Sequence, residues 1–135
     1  MTAAVAPGAG VRYAFEYAAI RVLPRVERGE AINAGVIVYC QALDFLEARS
    51  RLDQVRVLAL DPAADLAGIG LAVSAYVDVC RGGPQAGAAG ADSPGRRFRW
   101  LTAPRSTVVQ PGPVHIGLTA DPAAALDRLA ARLIG

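Results

Sequence analysis

Apolar and polar residues alternate near the start of the chain with the two-residue period of a β-strand. Between residues 12 and 23, aromatic and β-branched side chains fill both alternating sets of positions, which predicts a central strand ending at Pro24. A second apolar segment follows at residues 31–40 and a third at residues 43–49, with short connections between them. Three successive strands with short connections favour an antiparallel meander.

Two Asp-Pro pairs predict helix starts, because Asp is a favoured N-cap and proline fits the first helical position. Asp61-Pro62 precedes a stripe of apolar residues at helical spacing, and Asp121-Pro122 precedes another; their members are Leu66, Ile69, Val73, Val77 and Cys80, then Leu126, Leu129 and Leu133. Segments 55–60, 96–110 and 114–118 are interpreted as further strands, with a turn at residues 103–104. The pattern predicts an α+β fold, an antiparallel sheet of five to six strands with two helices on one face.

Residues 82–95, which read GGPQAGAAGADSPG, have no hydrophobic period and almost no large apolar side chain. We expect a mobile loop there. The part of the chain after this loop is too short to fold alone, so residues 11–135 are expected to form a single domain. Residues 1–10 are expected to be a flexible tail.

All 14 basic residues are arginines. Alanine, glycine and proline are also abundant, so a GC-rich bacterial genome explains this bias, although phosphate binding would also use the arginine fork. A net charge of +2 is too small to indicate a strong nucleic-acid partner. No apolar run reaches the roughly 18 residues that cross a bilayer. Together with the absence of a secretory signal, this predicts a cytoplasmic protein without membrane association, in which Cys40 and Cys80 are reduced and buried.

The segment from residue 21 to residue 38 places charged and amide side chains between two apolar strands. A hairpin would bring Arg21 beside Asn33 or Glu30 across the ladder. One interpretation is a structural arginine–glutamate pair with Asn33 capping the turn. A second is a protein-contact surface. A third is an anion or substrate pocket in which Arg21 and Arg28 hold the anion. Glu30 would then orient Arg21 or act as a general base, and Asn33 would orient the ligand.

A second group of arginines lies between residues 96 and 107. If residues 97–100 form a strand, its alternation places Phe98 and Trp100 in the core. Arg97 and Arg99 then form an exposed basic stripe on the other face. The following turn offers Arg105 and the hydroxyl of Ser106 to a phosphate or carboxylate. A solvated turn is the simpler alternative.

Signatures of metal, nucleotide and nucleophilic chemistry are missing from the sequence. The only histidine, His115, has no second ligand at metal-binding spacing. The chain contains no phosphate-binding GxxxxGK loop, no GxGxxG after a strand, no HExxH and no GxSxG. We therefore expect no metal and no cofactor, and the question of enzymatic activity stays open.

Several segments together resemble a bacterial family known as domain of unknown function 3037. They are YAAIRVLPRVERGEAINAGVIV at 17–38, FLEAR at 45–49, FRWLTAPRSTVVQ at 98–110 and DPAAALDRLAARLI at 121–134. The resemblance implies a small cytoplasmic protein with no established catalytic residue. It also implies a gene neighbour similar to the HipA-like kinases, and hence a partner role for this chain.

Three hypotheses follow, and a homo-oligomer is compatible with each. The first is an accessory or binding module for a partner protein such as a HipA-like kinase. The second is an enzyme or ligand-binding protein for a small anionic substrate, with a site formed by Arg21, Arg28, Glu30, Asn33, Arg105 and Ser106. The third, which the small net charge disfavours, is nucleic-acid binding through Arg96, Arg97 and Arg99.

Overall fold

The structure is a computed structural model that describes residues 10–134. The expected flexible tail therefore lies, apart from Gly10, outside the described residues. Among residues 10–134, no helix has both the length and the apolar character that a membrane span requires.

Five antiparallel strands form one open sheet with a long central strand. The strands are β1 (Tyr13–Val22), β2 (Ile32–Cys40), β3 (Phe45–Ser50), β4 (Val109–Pro111) and β5 (His115–Thr119). Along one edge β1 pairs with β2, and β3 follows beyond β2. Along its other edge, β1 pairs with β4 at one end and with β5 at the other. The predicted central strand and the antiparallel meander are confirmed.

Four α-helices connect or follow these strands in the described chain. They are α1 (Gln54–Leu60), α2 (Leu66–Arg81), α3 (Pro94–Thr102) and α4 (Pro122–Leu133). Asp121 caps α4 as predicted, since its side chain accepts hydrogen bonds from the first backbone N–H groups. The cap of α2 is Asp65, whose carboxylate accepts from the N–H of Gly68, and not Asp61.

The helices cover both faces of the sheet. Ile37 of β2 packs in a core that includes residues of α2 and α3, whereas its neighbours Val36 and Val38 pack against α4. Successive residues of a strand point to opposite faces, so α2 and α4 lie on opposite sides. The α+β class and the antiparallel sheet are confirmed, but the two predicted helices do not share one face.

Two segments predicted as strands are helical. Residues 54–60 form α1, and residues 94–102 form α3. In α3 the buried residues are Phe98 and Leu101, three positions apart, while Trp100 is 52% exposed. Ser93 as N-cap and proline at the first position start this helix, and these signals outweigh the aromatic content that favoured a strand.

The segment between α2 and α3 contains 3₁₀ turns at Pro84–Ala91. Arg97 of α3 holds the ends of this segment, because its guanidinium donates to the carbonyl oxygens of Val79, Cys80 and Asp92 at 2.9, 3.2 and 2.7 Å. The mobility of residues 82–95 and the single-domain organisation of residues 11–135 stay predictions.

Candidate anion-binding site

Arg21 lies near the end of the central strand with polar neighbours on both sides. Its partner residue in β2 is Asn33, and its partner in β4 is Gln110. The alignment with Asn33 follows a β-bulge, since Ile20 pairs with Gly35 and one residue of β2 is passed over. The bulge places Arg21 and Asn33 directly opposite each other.

The guanidinium of Arg21 has no carboxylate partner among the described residues. Its Nε is buried and makes no hydrogen bond within residues 10–134. The connection from β4 to β5 passes close by, because a Cβ at Gly112 would lie 3.4 Å from this Nε. Arg21 is therefore a partly buried cation with no counter-ion among the described residues.

Asn33 and Arg21 also line a small cavity of about 240 Å³, together with Tyr17 and His115. The amide Nδ2 of Asn33 donates to the carbonyl oxygen of Leu133 at 3.3 Å. Asn33 thus joins β2 to the end of α4 beside the guanidinium.

Arg105 is fixed by aromatic residues. Its Nη1 donates to the hydroxyl of Tyr76 at 2.6 Å, and its Nη2 donates to the carbonyl oxygen of Trp100. The guanidinium carbon lies 5.4 Å from the ring centroid of Tyr76 and 4.6 Å from that of Trp100, at cation–π distance from both. These contacts orient Arg105 without using a carboxylate.

Arg21 and Arg105 line the same cleft, which has a volume of about 430 Å³. Thr102, Pro104, Gln110 and residues 111–114 form the rest of its wall, and none of the lining residues is Asp or Glu. Two guanidinium groups facing one cleft without a counter-ion favour an anion there, since arginine binds carboxylate and phosphate oxygens through paired N–H donors.

Two predicted site residues, Arg28 and Glu30, lie outside this cleft and pair with each other. The Nε of Arg28 donates to Oε1 of Glu30 at 2.8 Å, and both side chains are exposed. This hydrogen bond lowers the pKa of Glu30 and raises that of Arg28. The 3₁₀ turn Val26–Arg28, followed by Gly29 in the left-handed region at φ 70°, carries the pair away from Arg21.

Ser106 is exposed and lines neither cavity beside Arg21. Of the six predicted residues, Arg21 therefore shares the 430 Å³ cleft with Arg105 and the 240 Å³ cavity with Asn33, whereas Arg28, Glu30 and Ser106 line neither. Sequence reasoning missed the contributions of Tyr76 and Gln110. A tyrosine within an apolar helical stripe is a usable signal, because its buried hydroxyl needs a hydrogen-bond partner.

The basic stripe predicted for α3 is not formed, because α3 is a helix and its arginines have different partners. Arg97 donates to backbone carbonyls, as described above. Arg99 pairs with Glu16 of β1 at 2.8 Å.

Residues 10–134 contain no group of three or more potential metal-binding side chains. Cys40 and Cys80 are both free and buried, in the cores on opposite faces of the sheet. Burial raises the pKa of Cys80 to about 12.

Comparison with known proteins places the chain in a family. No curated protein and no solved structure matches it. A family model matches residues 17–134, a range that includes Arg21, Asn33 and Arg105. The chain therefore belongs to the family described as "Protein of unknown function (DUF3037)".

Proposed function

We propose that this chain binds a small anion, a phosphate or a carboxylate, in the cleft between Arg21 and Arg105. The observation that supports this proposal is that both guanidinium groups line one cleft with no carboxylate in its wall. Glu30 is paired with Arg28 elsewhere, so the proposal is one of binding and assigns no catalytic role to Glu30.

The energetics of Arg21 favour an occupant that accepts hydrogen bonds. A buried donor without a partner costs about 1–3 kcal/mol, and more when it is charged. An anion in the cleft accepts charge-assisted hydrogen bonds from the guanidinium nitrogens that reach it, and its charge offsets that of Arg21. Gln110, beside Arg21 in the sheet, adds a polar group to the same wall.

Thermal unfolding in the presence of phosphate, pyrophosphate, acetate and citrate tests this function. An anion at 100 times its Kd should stabilise the protein by about 2.7 kcal/mol. Arg21→Gln and Arg105→Gln should each abolish the shift. Arg51→Gln removes the same charge from an exposed residue outside the cleft, and the anion should stabilise this variant as it stabilises the wild type. The proposal fails if none of these anions stabilises the protein, or if the shift survives Arg21→Gln.

A second function, as an accessory module for a partner such as a HipA-like kinase, is favoured by the surface of β5. Among the described strands, β5 pairs only with β1, and Ile116 and Leu118 on it are 73% and 62% exposed. An edge strand with exposed apolar side chains is a common docking surface.

Co-purification of the chain with a HipA-like kinase from the same genome tests this second function. Ile116→Ser with Leu118→Ser should abolish the association. Val55→Ser is the matched control, since Val55 is 78% exposed on α1. Failure of the two proteins to associate at micromolar concentration would exclude the accessory role.

A further inference from the structure

A larger groove adjoins the anion cleft, and Arg105 lines both. The groove has a volume of about 820 Å³ and runs between α2 and the segment that leads into β4. Most of its wall is apolar, formed by Ile69, Ala72, Ala75, Val108 and Val109. Its volume lies within the range of small-molecule sites.

The polar groups of the groove are arranged by charge. Arg105 and the hydroxyl of Tyr76 form a positive end, beside the half-exposed ring of Trp100. Asp61 and Asp65, which precede α2, also line the groove, and Oδ1 of Asp61 lies 3.9 Å from the Nε of Arg25. A carboxylate or phosphate group is therefore attracted to Arg105 and repelled by Asp65, which favours one orientation of an elongated anion.

We propose that the physiological ligand is an amphipathic anion, with its carboxylate or phosphate on Arg105 and an alkyl or aryl body in the groove. This inference rests on the proposed function, because the same arginine binds the head group. It adds that the apolar wall formed by Ala75 and its neighbours supplies part of the affinity. Burial of each methylene group is worth a factor of up to about four in affinity.

Fluorescence of Trp100 provides a direct titration, because this residue is the only tryptophan and lines the groove. The probes are acetate, butanoate, decanoate and uncharged decanol, all as monomers. Affinity should rise at least 100-fold from butanoate to decanoate, and decanol should bind at least 10-fold more weakly than decanoate. The inference is overturned if affinity is independent of chain length or if decanol binds as tightly as decanoate.

Substitutions in α2 locate the apolar body. Ala75→Phe should fill the groove and remove the gain from butanoate to decanoate, while acetate and phosphate binding stays unchanged. Ala67→Phe places the same side chain at an exposed position of α2 outside the groove, and it should have no effect. Unchanged decanoate affinity in Ala75→Phe would contradict the inference.

The outcomes separate this inference from the function on which it rests. If acetate, phosphate and decanoate bind equally and Arg105→Gln abolishes binding, the anion cleft stands and the amphipathic ligand is excluded. If no anion binds, both proposals fail. Binding to phosphatidylglycerol vesicles is measured as well. Binding to these vesicles without binding to monomeric decanoate would overturn the inference of a small ligand and indicate a lipid surface instead.

Discussion

The arginines of this chain differ in function according to what each guanidinium contacts. Arg28 and Arg99 form ion pairs with Glu30 and Glu16, and Arg97 is held by backbone carbonyls. Arg21 and Arg105 instead face a cleft without acidic residues. The sequence does not separate these groups, because it shows where arginines stand but not which acceptors reach them.

Arg97 should be the arginine whose loss lowers stability most. Arg97→Ala removes three charge-assisted hydrogen bonds, two to the end of α2 and one to Asp92 just before α3, and we expect the free energy of unfolding in urea to fall by about 2 kcal/mol. Arg96→Ala, at the exposed neighbouring position, should change it by less than about 0.5 kcal/mol. Equal effects of the two substitutions would mean that the carbonyl contacts do not stabilise the fold.

Cys80 should make stability decrease at alkaline pH. Its thiol ionises near pH 8.5 in an unfolded chain, whereas burial raises its pKa to about 12 in the folded protein. Because the pKa of Cys80 is higher in the folded state, the buried thiol contributes its full stabilisation below pH 8.5. This contribution is lost as the pH rises toward 12. The difference in unfolding free energy between the wild type and Cys80→Ala should narrow by about 1 kcal/mol or more between pH 8.5 and pH 10. A constant difference in urea unfolding across this range would contradict the prediction.

At the scale of elements, the strands with clear alternation are predictable and α3 is not. The hairpin of β1 and β2 follows from period-two patterning and short connections. In α3 the aromatic residues suggested a strand, but Ser93 and Pro94 begin a helix, and only Phe98 of the aromatic pair is buried. Local capping was the stronger signal because it satisfies backbone N–H groups that a helix start leaves free.

Alanine substitutions at two glycines in different elements should change the free energy of unfolding in opposite directions. A Cβ at Gly35 of β2 would lie 2.8 Å from the carbonyl oxygen of Arg49, and this backbone atom cannot move without disturbing the ladder. Gly35→Ala should therefore destabilise the fold by about 2 kcal/mol or more. Gly70 of α2 has no atom within 4 Å of an added Cβ, so Gly70→Ala should stabilise by about 0.5–1 kcal/mol. Chemical denaturation of both variants checks the signs, and a stabilising Gly35→Ala would contradict the close approach of the Arg49 carbonyl oxygen.

At the scale of the whole molecule, the fold class follows from the sequence, but the cleft does not. Arg21 belongs to the hairpin motif, whereas Arg105 and Gln110 come from a segment more than 80 residues later in the chain. They meet because β4 pairs with the end of β1. Long-range strand pairing of this kind leaves no periodic signal in the sequence.

The central claim is that Arg21 and Arg105 bind one anion, and side-chain NMR tests it most directly. The Nε–H resonances of the arginines can be followed in ¹H–¹⁵N spectra while phosphate or acetate is added. The Nε–H signals of Arg21 and Arg105 should shift together with a single Kd, while that of exposed Arg51 stays in place. Signals of Arg21 and Arg105 that do not move, or that move no more than Arg51, would contradict the account.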